Sequence, residues 1–356
     1  MDPIVDVVIP TFRPDERLLQ ILESLERQTV RPRRVRVINT QRSGLEDLLS
    51  AQGMTEDALT EKHPLLELTH IRKEEFDHGG TRNLGFRRCG DAEYVLTMTQ
   101  DALPAGDDLI AQLLGAFHDE TDPPAADPVR GSERISPAGA AAVPPGQAPK
   151  EGAGERDAGG TIAVTYARQL PNKDAPVEER LSRGFNYPAQ SRIKREADRA
   201  ELGIKVYYCS NVCAMYRMDI WKILGGFPDR AIFNEDMIYA CRALRAGYCT
   251  CYAAEAKVYH SHRYTASQQF HRNFDLGVSQ AQNPEVFGGL SSEGEGVSYV
   301  KAVVRQMFAE HAALQVPGFL VRCAARLAGY RLGRAYERLP KSWTVRFSSN
   351  RGYWNA

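Results

Sequence analysis

The stretch IVDVVIPTFRP, residues 4–14, decides the fold. Ile4–Ile9 is apolar at every position but Asp6, and Pro10-Thr11 ends the run. A largely apolar run of this length suits a strand of a covered sheet. Leu18, Leu19, Ile21, Leu22 and Leu25 then recur at helical spacing. Pro14 suits the first turn of that helix, and Asp15 and Glu16 complement its dipole. Val35, Val37 and Ile38 mark a second strand, Leu68–Ile71 a third and Tyr94–Met98 a fourth. Strands separated by helices predict right-handed crossovers, hence an α/β fold with a mostly parallel sheet flanked by helices. Ligands of such sheets bind beyond the carboxyl ends of the strands, so the residues just after each strand are the candidates for function.

Composition narrows the choice. The 356 residues are 43% hydrophobic and 25% charged, with Lys plus Arg equal to Asp plus Glu at 45 each. A chain with no net charge is a poor match for nucleic acid, which asks for a basic surface. Met-Asp-Pro runs straight into the first strand without a signal-peptide pattern, and no apolar run reaches the ~18 residues of a membrane span. A cytoplasmic protein is expected. The seven cysteines are scattered and odd in number. Cys209/Cys213 and Cys249/Cys251 lack the spacing of paired zinc half-sites, so reduced thiols are expected.

The stretch 121–160 is rich in Pro, Gly and Ala and poor in large apolar groups. Strand-like Thr161–Tyr166 resumes directly after it, which reads as a flexible loop inserted in one domain; a linker between two domains is the alternative. Beyond Val297 the chain turns helical and basic, with ten Lys/Arg against Glu310 and Glu337 from Lys301 onward. The expected organisation is a domain over 1–296 and a basic helical extension over 297–356. Leu314, Phe319, Leu320, Ala324, Leu327 and Tyr330 lie among these arginines or lead into them. That pattern fits either a solvated face or an interfacial helix in peripheral contact with anionic lipid.

Four clusters stand at the ends of elements. Pro10-Thr11-Phe12-Arg13 follows the first strand. FDHGGTRNLG (76–85) is a glycine turn opening a short helix, where the backbone can approach a ligand and Arg82 offers a fork for phosphate or a base edge. Thr99-Gln100-Asp101 follows the fourth strand; Asp101 suits either a divalent cation or a turn cap. Asn234-Glu235-Asp236 opens a helix, as a dipole complement or as a general base in a cleft. His260 and His262 would share a face if they lie on a strand, although with no third ligand nearby in sequence the pair alone reads as structural.

In this order the clusters resemble the family 2 glycosyltransferases, inverting enzymes of the GT-A fold. The matching pieces are VVIPTFRP, HGGTRNLG, TQDALP in the place of the metal-binding DxD, and NEDMIYACRALRAGY. Within that family FDHGGTRN, RQLP (168–171), FNYP (185–188), Ser210-Asn211 and YHSHRYT are similar to the rhamnosyltransferase branch. The resemblance implies a nucleotide pocket of Pro10, Thr11, Arg13, Asn39, Gly80, Arg82 and Gln100. It implies Mg²⁺ or Mn²⁺ on Asp101 with His260 or His262, and Asp236 as the base with Glu235 supporting it. The implied donor is a dTDP- or UDP-sugar, with dTDP-L-rhamnose favoured, and the acceptor a glycan or lipid-linked glycan. Thr99 stands where the first Asp of DxD is usual, and Asn39 where an Asp commonly reads a pyrimidine. Those two departures are what a catalytically degenerate scaffold would show; Asp101, Glu235 and Asp236 speak for an enzyme. A sugar-phosphate nucleotidyltransferase fits less well, because its glycine loop follows the first strand and Gly79-Gly80 follows the third.

Overall fold

The computed structural model describes residues 3–118, 160–288 and 293–355. The inserted stretch expected at 121–160 therefore lies, apart from Gly160, outside the described residues. The chain opens with β1 (Val5–Phe12), α1 (Glu16–Glu26), β2 (Arg34–Thr40), α2 (Arg42–Ala51), α3 (Glu56–Lys62) and β3 (Leu66–Ile71). Then come α4 (His78–Arg87), β4 (Tyr94–Met98), the two-residue β5 (Leu103–Pro104), α5 (Leu109–Gly115) and β6 (Ile162–Leu170). The elements α6 (Val177–Asn186), β7 (Arg192–Lys194), α7 (Arg199–Leu202), β8 (Cys213–Arg217), α8 (Met218–Ile223), α9 (Glu235–Arg245) and β9 (Cys249–Tyr259) follow. Helices α10 (Ala266–Gln282), α11 (Pro284–Phe287), α12 (Glu293–Ala309), α13 (Val316–Arg334) and α14 (Lys341–Phe347) complete it.

The strands form one sheet in the order β3-β2-β1-β4-β8-β6-β9-β5, with β7 also on β9. Strands β3, β2, β1 and β4 run parallel, and β9 runs parallel to β6; β8, β5 and β7 run against their neighbours. The sheet is therefore mixed and mostly parallel, as expected.

Strand β1 shows why an apolar run was needed. Val5, Val7 and Ile9 face a core filled by Leu18, Ile21, Leu22 and Leu25 of α1, while Val8 faces the opposite core with Phe86, Tyr216 and Trp221. Each such side chain contributes about 1.5–3 kcal/mol by burial. Asp6, the one polar break in the run, is fully buried and held by two arginines: Arg33 binds both carboxylate oxygens at 3.0 and 2.8 Å, and Arg36 binds one at 2.6 Å. A buried carboxylate needs such partners. At α1 the cap is Asp15, which accepts from the Arg17 amide, so Pro14 precedes the helix instead of lying in its first turn.

The C-terminal helices pack on α6 and α10. Val303, Met307 and Phe319 pack with Val177 and Leu181 of α6, and Arg322 donates to Glu178 at 2.9 Å. Separately, α13 lies against α10 at glycine distance. A β-carbon on Gly333 would fall 2.1 Å from the Phe274 carbonyl oxygen, and one on Gly329 2.2 Å from that of Phe270. Gly333→Ala is accordingly expected to destabilise the fold by about 1–3 kcal/mol through overpacking. Gly318→Ala in the same helix, where the new methyl would meet only the end of the Arg322 side chain at 3.3 Å, should be neutral or stabilise by up to about 1 kcal/mol. Urea unfolding of both variants checks this; equal midpoints would refute the close helix contact.

Candidate functional site

The carboxyl ends of β1, β2 and β3 carry a closed polar network. Thr11 Oγ1 donates to Asn39 Oδ1 at 2.9 Å, and Asn39 Nδ2 lies 3.1 Å from His70 Nδ1. An amide nitrogen only donates, so His70 Nδ1 accepts and its Nε2 faces Glu56 at 3.3 Å. Asn39 is fully buried with both ends of its amide engaged. Gln100 reaches from the end of β4 to the backbone of Phe12, accepting from its N–H at 2.7 Å and donating to its carbonyl at 3.1 Å. Pro10 is the β1 partner of Ile38. Arg13 turns the chain with a left-handed φ of 46° and lies 5.4 Å over the exposed Phe12 ring.

The HGGTRN segment acts differently from a free glycine turn. Both glycines lie in the first turn of α4, and Asp77 caps it by accepting from the Gly79 and Gly80 amides at 2.9 and 2.8 Å. The close approach that glycine permits is taken by the chain itself, since a β-carbon on Gly79 would fall 1.9 Å from the Pro228 carbonyl oxygen. Asp77 also accepts from the Ala231 amide at 3.0 Å. Asn83 donates to the Phe227 carbonyl at 2.9 Å and accepts from its amide at 3.0 Å. Together these contacts fix residues 227–231, which lead into the acidic motif.

There, Asn234 adopts a left-handed φ of 62°, and Glu235 and Asp236 open α9. Arg82 Nη1 meets Glu235 at 3.1 Å, and Asn211 Nδ2 donates to the same oxygen at 3.0 Å. Asp236 accepts from the Asn211 and Met237 amides at 3.0 and 2.8 Å. The two acids are electrostatically unlike. Burial alone would raise the Glu235 carboxyl, but Arg82, His78 and the Asn211 hydrogen bond outweigh it and hold it below its ordinary value. Burial takes His78 down to about 4, leaving it uncharged near neutrality, so Arg82 is the cation that keeps Glu235 ionised. Burial and the neighbouring Glu235 charge push Asp236 up to about 7, against its two amide donors. Such an unlike pair suits one ionised anchor and one group poised to exchange a proton.

Asp101, His260 and His262 converge although β9 ends at Tyr259. The histidines therefore share a site through the loop after the strand, not through strand alternation. The short strand β5 pairs Leu103 with Tyr259, which brings Asp101 beside them. His260 Nε2 and His262 Nε2 lie 2.8 Å apart, and each lies 3.6 or 3.3 Å from an Asp101 oxygen. One ligand atom from each of the three falls within 4.8 Å of the others. Gln169 donates to Ser210 Oγ at 2.9 Å, which turns its oxygen to His260 Nδ1 at 2.9 Å. The shorter contact, to Gln169, favours a proton on Nδ1 and leaves the Nε2 lone pair available to a cation; Arg183 Nη2, 3.2 Å from the same Nδ1, is then a neighbour and not a hydrogen-bond donor to it. Burial holds both imidazoles below their ordinary range, in the neutral form that ligates metals. One carboxylate and two imidazoles make a donor set that fits a divalent cation. Thr99, in the DxD position, has a buried hydroxyl without a partner.

Two of these supporting residues, Gln169 and Asn211, belong to matched motifs but carry no role in the sequence reading. A third, Arg183, was missed: it donates to Gln169 and lies 3.2 Å from His260 Nδ1, yet an arginine on an amphipathic helix reads as solvated.

No protein-family model matches the chain. It is 33% identical over 354 residues to the O-antigen chain rhamnosyltransferase RfbN of Salmonella typhimurium strain LT2, spanning 99% of this chain and 96% of that one. It is 31% identical over 358 residues to the O-antigen chain rhamnosyltransferase WbaN of Salmonella anatum, with the same coverage. Among solved structures, the mannosyltransferase PcManGT from Pyrobaculum calidifontis, in complex with GDP-Man and Mn²⁺, superposes with a TM-score of 0.50 at 15% identity, covering 100% of this chain and 86% of its own. That likeness supports the GT-A fold. With more than 30% identity along nearly the whole of both relatives, the chain belongs to the family of O-antigen rhamnosyltransferases and is a glycosyltransferase.

Proposed function

We propose that this protein is an inverting, metal-assisted rhamnosyltransferase of glycosyltransferase family 2. It moves L-rhamnose from dTDP-L-rhamnose to a hydroxyl of a glycan or lipid-linked glycan. The observation that carries the reading is a continuous path between the two clusters. His260 bonds Gln169, Gln169 bonds Ser210, and the adjacent Asn211 bonds both Glu235 and Asp236. A cation site and a tunable carboxylate thus share one rigid support. The relatives' names supply rhamnose and the O-antigen glycan.

In this mechanism Asp236 takes the proton of the acceptor hydroxyl. The acceptor oxygen forms a bond to the anomeric carbon as the bond to the diphosphate oxygen breaks on the opposite side, which inverts that carbon. Asp101, His260 and His262 would hold the metal; two imidazoles favour Mn²⁺ over Mg²⁺. When bound, the ion neutralises charge on the departing diphosphate. Glu235 stays ionised on Arg82 and keeps Asp236 basic. Thr11, Arg13 and Gly80 would line the nucleotide pocket, while Asn39 and Gln100 shape it through the contacts described above. Residues 1–296 would form the catalytic unit.

No helix among the described residues is long and apolar enough to cross a membrane. We read residues 297–356 as a peripheral contact with the cytoplasmic face of an anionic bilayer. On α13, Leu320 and Leu327 are exposed two turns apart on one face, and Val321 is exposed beside Leu320; Leu314 precedes them at 98% exposure, and Trp343 follows, also exposed. Arg334 and Lys341 stand close by in the chain, both exposed. Their charge favours anionic lipid over a second copy of the same patch.

Three outcomes follow. Asp236→Asn should lower transfer by about 10³-fold or more while nucleotide binding persists. In the unaltered enzyme transfer should rise as pH passes through about 7, because only the ionised carboxylate accepts a proton; unchanged turnover in the variant would remove Asp236 as base. In thermal-shift titrations, Mn²⁺ should enhance stabilisation by dTDP, and Asp101→Ala should lose the metal-dependent part. No response to any nucleotide would favour a degenerate scaffold. Finally, the protein should float with vesicles containing anionic lipid and not with neutral ones, and Leu320→Ser with Leu327→Ser should weaken this; equal flotation would refute the membrane contact.

A further inference from the structure

Arg272 lies in the second turn of α10, and its guanidinium is held by two aromatic rings. It stands 4.7 Å over the ring of Phe233 and 5.6 Å from that of Tyr264. Phe233 directly precedes Asn234-Glu235-Asp236 and meets the His78 ring edge-on at 6.2 Å. Tyr264 stacks on His262, with centroids 4.9 Å apart and planes at 25°. The guanidinium is therefore pinned between the ring that leads into the acid pair and the ring that backs the metal cluster.

Three other arginines beside the two clusters are already paired, while Arg13 lies over the Phe12 ring after β1. Arg82 is paired with Glu235, Arg17 with Asp15, and Arg183 with Gln169. Among the described residues, no carboxylate lies within ion-pair distance of Arg272, and the side chain is exposed. Aromatic faces hold a guanidinium in place yet leave its planar N–H fork free for an anion. A fixed cation between a metal cluster and a base lies where the charge of the leaving group develops.

We propose that Arg272 binds the donor's diphosphate, its fork donating to oxygens of the phosphate that carries the sugar. This rests on the nucleotide-sugar reading above and deepens it. As the bond from the anomeric carbon to that phosphate breaks, its electron pair passes to the phosphate oxygen. Arg272 stabilises the new charge by hydrogen bonding and remains protonated throughout, so no proton leaves it.

The test is calorimetric titration of the full chain, with Mn²⁺ present, using dTDP, UDP, GDP and the nucleoside thymidine. Arg272→Gln is expected to weaken nucleoside diphosphate binding about 10- to 100-fold, with thymidine affected far less. Arg272→Lys, which keeps the charge and loses the fork, should fall between. A purely structural role would instead lower the melting temperature of the free protein and weaken all ligands together, which would overturn the proposal. Diphosphate affinity unchanged in Arg272→Gln would overturn it alone. Failure of the unaltered protein to bind any nucleoside diphosphate would overturn the donor reading and this proposal with it.

Discussion

A carboxylate as buried as that of Glu235 stays ionised only where a cation meets it, and Arg82 is that cation. Much of the molecule serves this meeting. Arg82 belongs to α4 and Glu235 to α9, elements separated in sequence by five strands of the sheet. Helix α4 can present Arg82 only by pressing against residues 227–231, which Asp77 and Asn83 clasp through backbone amides and a carbonyl. Once Glu235 is ionised, its charge works on Asp236 next door and keeps that group's affinity for a proton high. One ion pair thus converts two adjacent acids into a matched anchor and proton acceptor.

The cation side obeys the same logic with different atoms. His260 can offer Nε2 to a cation because Gln169 holds its other nitrogen, and Gln169 is itself oriented by Ser210. The residue after Ser210 supports the acid pair. Displacing the Ser210-Asn211 segment would disturb both clusters together, so the site behaves as one rigid unit.

Much of this was legible in the sequence because parallel strands buried on both faces leave a strong mark. Ile4–Ile9, Tyr94–Met98 and the acidic helix start were all readable from local pattern. What local pattern could not reveal was distance. The reason for Gly79 is a carbonyl about 150 positions away at Pro228, so the motif read as a ligand loop when it also serves as a clasp. Strand alternation was the one local pattern that could have paired the histidines, yet they meet Asp101 after the strand, through a two-residue partner strand too short to announce itself. Asp6 looked like a flaw in a strand until its two arginines came into view. Arg272 was invisible for the opposite reason: a charged residue on an amphipathic helix is what solvent exposure alone would select.

The pair of helices α10 and α13 carries a consequence for how this chain can change. At Gly329 and Gly333 the obstacles are main-chain carbonyls of Phe270 and Phe274, not side chains. When two side chains collide, a smaller neighbour can restore the fit, and lineages drift through such exchanges. A carbonyl has no smaller version. No replacement on α10 makes room, so a lineage that loses either glycine can recover only by reversion or by moving the whole helix.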